Sequence, residues 1–375
     1  MVNKYRIVIV RSNPVEPDSR VEKEANSLVK AGFQVMLVVW DREKNYFVKT
    51  DNKLLENCEV KRVRFGAKAS YGDGMKCFFP FVKFQVSLLI WLIVNRKKYD
   101  IGHFCDFDTA YTGSLACNLL RKKYVFDIFD YLSTDARKGM RLLVKRKEDK
   151  IINRSDATVI CTEKRRLQIK DAMPHRIVVV HNSPERISLT EISKKTSGNR
   201  IKIAYIGILQ EHRLLKEMID TVSEMTEVEL HIGGFGKLEP FIIEAAKKNE
   251  NIFFYGRLPY NETLALEKEC DIMTAIYDPA IGNHRFAAPN KFYESLMLGK
   301  PVIMVRGTGM SEVVEQKKIG ELIEFSKEGF RLGLQRIIGR KDEWSALHDI
   351  MVGLYEKNYS WTVMEKRLVA LYNSL

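Results

Sequence analysis

Short, continuously apolar runs alternate with longer amphipathic segments from one end of this 375-residue chain to the other. "YRIVIV" is followed by "SRVEKEANSLVKAG", in which Val21, Ala25, Leu28 and Val29 recur at helical spacing and Gly32 ends the helix. "FQVMLVVW" comes next, so the unit reads strand, helix, strand. "VKRVRF", "DIGHF", "YVFDIF", "ATVIC" and "IVVVH" continue the series of strands. A polar, turn-rich stretch, Asn182 to Arg200, interrupts it as a linker. The alternation then restarts with "IKIAYIG", "VELHIGG", "NIFFYG", "IMTAIY", "KPVIMV" and "GELIEF". Strands that are apolar on both faces must be covered on both faces, which is the condition of a parallel sheet flanked by helices. The expected fold class is α/β, with two doubly wound parallel-sheet (Rossmann-like) domains at residues 1–183 and 184–358. Ligands of open parallel sheets sit beyond the carboxyl ends of the strands, so the loops after strands carry the chemistry and the cleft between two such domains is the expected site.

The net charge of +13 lies in one half of the chain. Residues 1–184 hold 35 Lys+Arg against 21 Asp+Glu, leaving −1 for the remainder. A polyanion is the partner such asymmetry suits: nucleic acid, an anionic membrane or a phosphorylated substrate. No base-stacking motif such as an RNA-recognition signature is present, so nucleic acid is not expected. The six cysteines are scattered without a C-x-x-C pair and read as reduced thiols, and "MVNKY" runs into the first strand without a signal-peptide pattern. A cytoplasmic location is expected. The longest uncharged apolar run, Phe84 to Val94, is 11 residues, against about 20 needed to cross a bilayer.

Three polar loops follow strands in the second domain. After "IAYIG", Gly207 ends a strand and Arg213 stands near the start of a helix, where a guanidinium beside helix N-terminal amides suits a diphosphate. After "VELHI", the glycines around Gly234 in "GGFGKLE" allow close backbone approach. The third is "APNKFYESLMLGKPVI", Ala288 to Ile303. Pro289 suits a helix start, Asn290 and Lys291 follow, and Glu294 lies one turn from Asn290 on the same face. Lys291 can neutralise phosphate. Glu294 can accept hydrogen bonds from two sugar hydroxyls, and among Phe292, Tyr293, Leu296 and Met297 an unpartnered carboxylate is costly.

"APNKFYESLMLGKPVI" closely resembles the P-N-K-[LF]-[FY]-E…G-K-P-V-I segment of glycosyltransferase family 4, retaining nucleotide-sugar enzymes of GT-B fold. The preceding segments "AYIGILQEHRLLKEMIDTV", "VELHIGGFGKLE" and "NIFFYGRLPYNETLALEKECDIMTAIYDP" are similar to the family's in order and spacing, and the first half resembles its N-terminal domain more loosely. The resemblance implies a GT-B fold whose domains face across a cleft, the first completed by a C-terminal helix at 359–375. It implies a UDP- or GDP-sugar donor and no metal. Glu294 would hold the ribose hydroxyls, Arg213 and Lys291 the diphosphate, and Gly207 and Gly234 would admit phosphates or sugar. Asn290, Phe235 and Tyr277 would join the donor site, and Arg257 and Leu258 would meet the base. His103, Asp106 and Asp108 would face the transferred sugar or acceptor, with Asn13 and Asp130 as further acceptor-side candidates; His103 equally suits a satisfied core position. Arg213, Lys291, Asp106 and His103 are the candidates for catalysis.

This chain departs from the family pattern in three places. Phe286 stands where a second glutamate is usual, Phe129-Asp130 where many members have His-Glu, and Ile208 where a second phosphate-binding basic residue would follow Gly207.

On the first domain, Arg137, Arg141, Lys145 and Arg146 fall near one helix face and "FFPFVKFQVSLLIWLIVNRKK" is strongly apolar, the pieces of a contact with an anionic membrane surface. The overall expectation is a retaining transferase of hexosyl type, peripheral at the inner face of the cell membrane. It would act on a glycan or polyprenyl-diphosphate-linked acceptor in bacterial-type surface polysaccharide assembly. The alternatives are a catalytically weak partner subunit that binds nucleotide or membrane, and a nucleotide-sugar epimerase.

Overall fold

The structure, a computed structural model, describes residues 5–56, 58–69, 77–132, 139–186 and 200–375. It divides into two units, Met1–Val180 with Met364–Leu375, and His181–Val363.

In the first unit the strands are β1 (Arg6–Arg11), β2 (Gln34–Asp41), β3 (Lys49–Leu54), β4 (Glu59–Gly66), β5 (Ile101–Cys105), β6 (Lys123–Ile128), β7 (Ala157–Ile160) and β8 (Ile177–Val179). The helices between them are α1 (Ser19–Lys30), α2 (Phe78–Val94), α3 (Phe107–Leu120), α4 (Gly139–Arg154) and the single turn α5 (Arg165–Gln168). The sheet order is β3-β4-β2-β1-β5-β6-β7-β8. Every pairing is parallel except that of β3 with β4. β5 is buried at all five positions, as a central strand covered on both faces must be. β3, "KTDNKL", is an exposed polar edge strand, and its sequence carries no apolar alternation from which to expect it. α1 begins where Asp18 accepts the Val21 N–H, a side-chain cap on an otherwise orphaned donor.

The second unit contains β9 (Ile201–Ile208), α6 (Leu215–Ser223), β10 (Val228–Phe235), α7 (Glu239–Lys248), β11 (Ile252–Phe254), α8 (Tyr260–Glu269) and β12 (Ile272–Ala275). There follow α9 (Asn290–Leu298), β13 (Val302–Val305), α10 (Ser311–Lys317), β14 (Gly320–Ile323), α11 (Lys327–Gly339) and α12 (Trp344–Leu354). Its strands are all parallel, in the order β11-β10-β9-β12-β13-β14. The chain leaves β9 toward β10 on one side and returns to β12 on the other, so the β9/β12 junction is the point where strand order reverses. The last helix, α13 (Trp361–Asn373), belongs from Met364 onward to the first unit. There the Tyr372 hydroxyl meets His103 Nδ1 at 2.6 Å and Arg367 donates to the Val179 carbonyl at 3.0 Å.

Residues 187–199 of the expected linker lie outside the described residues. No described helix is long and apolar enough to cross a membrane.

Candidate functional site

A cavity of about 390 Å3 opens at the β9/β12 junction of the second unit, the place where the topology of an open sheet puts a ligand. Gly207 and Ile208 at the end of β9, Arg213, Tyr277 after β12, and Pro289, Asn290 and Lys291 at the start of α9 line it. Thus five of the expected donor-side residues, Gly207, Arg213, Tyr277, Asn290 and Lys291, meet in one space. A Cβ built on Gly207 would have only the Tyr205 hydroxyl nearby, at 3.9 Å, so the backbone there is open to a ligand.

The turn after β9 holds Arg213 under strain. His212 and Leu214 on either side both have positive φ, 68° and 53°, conformations that cost a non-glycine residue roughly 1 kcal/mol or more each. His212 is secured by Asp278 at 2.7 Å. The Arg213 guanidinium lies 4.0 Å above the Tyr277 ring and 3.3 Å from His284 Nε2. His284 Nδ1 is 2.9 Å from the Asp278 carbonyl and must donate to it, so Nε2 is the acceptor that meets Arg213. Burial and the Arg213 charge hold His284 below its ordinary pKa, which keeps this neutral form. Stacked on one ring and tethered at one nitrogen, the guanidinium is preorganised with its remaining N–H groups available to an anion.

Lys291 is placed differently from the expectation of a free phosphate-binding ammonium. Its Nζ donates to Glu267 at 2.8 Å and to Glu294 at 2.7 Å. Glu294 is buried one turn below the cavity wall, not on it, with Oε2 on Lys291 and Oε1 without a hydrogen-bond partner. A carboxylate in this apolar helix is thus tolerated because the lysine three residues earlier turns inward to meet it. Glu267, on α8, is fully buried, and burial together with the Glu294 charge pushes it up to about 8. At neutral pH the trio therefore retains an extra proton and is close to electroneutral. Since Glu267 is raised above its unfolded value, its proton favours the folded state at acid pH, and that contribution is lost as pH rises through about 8. Glu267→Gln is expected to flatten the pH dependence of unfolding free energy between acid pH and that value; an unchanged slope in urea titrations contradicts the assignment.

The glycines at the end of β10, Gly234 in the strand and Gly236 just after it, serve close backbone packing. A Cβ on Gly234 would lie 1.8 Å from the Gly207 carbonyl oxygen, and one on Gly236 would lie 2.3 Å from that of Leu209. They let the ends of the neighbouring strands β9 and β10 and the turns that follow them lie close together, and Gly234 is not on the cavity wall. Phe235, Arg257 and Leu258 also lie off that wall. Arg257 stacks on Phe235 at 4.7 Å.

In the first unit, His103 does not face a ligand. It is fully buried, bonded to Tyr372 at Nδ1, with Nε2 3.5 Å from Glu24 and 3.4 Å from Asp127. Glu24, His103 and Asp127 have the donor types of a metal site. Arg20, however, already pairs with Glu24 at 3.0 Å and Asp127 at 2.9 Å, supplying the positive charge a cation would bring. Asp106 sits at positive φ, 63°, with one oxygen accepting the Phe129 and Asp130 N–H groups and the other on Arg11. Burial raises it to about 6 despite Arg11. Arg11 continues to Asp18 at 2.9 Å, and Asn13 donates to Asp18 at 2.8 Å. Asp106 and Asn13 thus bind the strand-end loops to one another. Phe129, at the position where many members of the resembled family have histidine, is a shelf for two guanidinium groups, Arg11 at 4.3 Å and Arg20 at 4.5 Å. Asp108 keeps one buried oxygen without a partner, and Asp130 is exposed.

Glu267, His284 and Asp278 were not singled out from the sequence. Their partners lie on other elements, and no local spacing marks them.

Residues 200–339 match the family model described as Glycosyl transferases group 1. Comparison with curated protein sequences finds no significant match. Among solved structures, sucrose-phosphate synthase from Thermosynechococcus elongatus superposes with a TM-score of 0.77 at 13% identity, over 99% of both chains. Anabaena HepE in complex with UDP and glucose gives 0.74 at 13% identity, over 99% of this chain and 100% of that one. The apo form of the lipopolysaccharide outer core galactosyltransferase WaaB gives 0.67 at 15% identity, over 98% and 99%. The chain has the two-domain, Rossmann-like GT-B fold, and within its second unit residues 200–339 are similar to the glycosyl transferases group 1 model.

Proposed function

We propose, from the GT-B fold and the glycosyl transferases group 1 segment at residues 200–339, that this protein is a retaining glycosyltransferase that takes a hexosyl group from a UDP- or GDP-sugar. The observation that carries the reading is the cavity at the β9/β12 junction, where a preorganised Arg213 and an open Gly207 backbone face the start of α9. Cleaving a sugar–phosphate bond builds negative charge on the departing diphosphate, and a fixed guanidinium stabilises that charge more than the ground state. The Glu294 oxygen without a partner would accept from a ribose hydroxyl only after a shift of Lys291 or the α9 N-terminus exposes it to the cavity. The solved complex of HepE with UDP and glucose supports a UDP-type donor.

The acceptor in this reading is a glycan or polyprenyl-diphosphate-linked glycan of surface polysaccharide assembly, presented at an anionic membrane by the basic first half. Lys145, one of the four cations expected to make that contact, is tied to Asp149 at 2.7 Å and Asp171 at 2.9 Å instead. Arg137 lies outside the described residues, and Arg141 and Arg146 are exposed.

A donor panel tests the function. Incubation with UDP-, GDP- and ADP-sugars is expected to release sugar slowly from one donor, with the anomeric configuration retained by NMR. Nucleotide binding without release from any donor, even with glycan acceptors, instead favours a partner subunit that lacks transfer activity, and C2 or C4 inversion of the bound sugar favours an epimerase.

A further inference from the structure

α2 is apolar over most of its circumference, with Lys83, Gln85 and Ser87 as its polar residues, yet it is only half covered. Phe84, Ser87, Leu88 and Leu92 face the core, while Phe79, Val82, Val86, Ile90 and Val94 recur every three or four residues on the solvent side. Phe79 is 79% exposed and Val94 68%. The one cation on that face, Lys83, sends its ammonium away to the Tyr46 and Gly66 carbonyls. α3 packs against α2 and continues the surface with Tyr111, Leu115 and Leu119, all exposed at i, i+4 and i+8. A patch of this kind is larger than the scattered surface apolar residues of ordinary proteins.

Its border is basic. Arg96, Lys97 and Lys98 follow the end of α2, and on α4, packed against α3, Lys147, Lys150 and Arg154 share one exposed face. Among the described residues none of these three pairs with a carboxylate, since Glu148 is buried and Asp149 is held by Lys145 and Tyr131. Lys147, Lys150 and Arg154 close a hollow of about 90 Å3 against Tyr111, Leu115 and Asn118. Two of the three acids of the α2–α3 stretch are ion-paired, Asp100 with Arg6 and Asp106 with Arg11, and the third, Asp108, is half-buried with one oxygen enclosed.

The geometry points to the α2–α3 face as the surface that docks on an anionic phospholipid bilayer, resting on the membrane reading given above. α2, roughly 25 Å long at 1.5 Å per residue, lies flat with its apolar stripe among the acyl chains. The cations of α4 and of the α2 C-terminus meet lipid phosphates, with the hollow beside Tyr111 and Asn118 taking one of them. This arrangement has the mix of apolar stripe and flanking Lys/Arg that interfacial helices use. A second copy of the chain fits less well, because a symmetric contact would set like-charged borders against each other.

Flotation with phosphatidylcholine vesicles, with and without phosphatidylglycerol, tests it using the full chain. Wild-type protein is expected to float only with the anionic vesicles and to release as salt rises. Val86→Glu with Ile90→Glu is expected to weaken partitioning at least about tenfold. Lys147→Ser, Lys150→Ser and Arg154→Ser together should weaken it about 100-fold, or about fivefold per charge. Circular dichroism and donor hydrolysis should be unchanged in both variants. An NBD label at Ile90→Cys should shift to the blue only with anionic vesicles. If wild-type protein ignores anionic vesicles at low salt, the membrane reading itself fails. If it binds them and the Val86→Glu, Ile90→Glu variant binds equally well, that reading survives and the α2–α3 face is overturned. A lipid-free dimer in sedimentation that the same variant dissociates also overturns it, in favour of a self-interface.

Discussion

Arg213→Ala is expected to lower turnover by about 10²- to 10³-fold, or about 3–4 kcal/mol, the cost typical of losing one donor to a developing anion. The donor Michaelis constant should move far less. The guanidinium already stands fixed by Tyr277 at 4.0 Å and His284 at 3.3 Å before any ligand enters, so no reorganisation is needed as the bond breaks. The diphosphate carries more negative charge after cleavage than before, and the loss therefore falls on the transition state and on the product complex. Arg213→Lys should recover little, because an ammonium cannot both stack on Tyr277 and donate in the same geometry. Unchanged turnover with a raised Michaelis constant assigns Arg213 to ground-state binding.

Lys291→Met should destabilise the protein by about 3–5 kcal/mol, since it leaves two buried carboxylates without their cation. The loss should be greatest above pH 8 and smaller in acid, where Glu267, already raised to about 8, keeps its proton. Adding Glu267→Gln should recover a large part of it, because one of the two stranded charges is then gone. Urea unfolding at two pH values measures all three variants. A loss under about 1 kcal/mol at alkaline pH would mean that Lys291 is not engaged with its carboxylates and is free for phosphate.

The parallel strands were legible because "RIVIV", "IAYI" and "VIMV" are apolar on both faces, a pattern few other structures require. β3 was not, being polar and paired only at the sheet edge through an antiparallel contact with β4. Residues after strand ends were legible as a group, and Gly207, Arg213, Tyr277, Asn290 and Lys291 share one cavity. What each touches was less legible. The Lys291–Glu267 contact spans 24 residues, and no periodicity joins α8 to α9. A glycine beside a phosphate and a glycine beside another carbonyl read alike, which is why Gly234 was assigned to a ligand when Gly207 fills the space above it. His103 lies mid-strand in β5, two residues before the strand end where site residues gather, and its partners Tyr372 and Asp127, 269 and 24 residues away, hold it in the core.

Calorimetric titration of wild-type protein and Arg213→Ala with UDP, GDP and ADP addresses the donor site most directly. One nucleoside diphosphate is expected to bind at a single site, with Arg213→Ala weakening it at least about tenfold, the worth of one charge-assisted hydrogen bond. Absence of binding by all three, or equal binding by the variant, would contradict a nucleotide-sugar site at the β9/β12 junction.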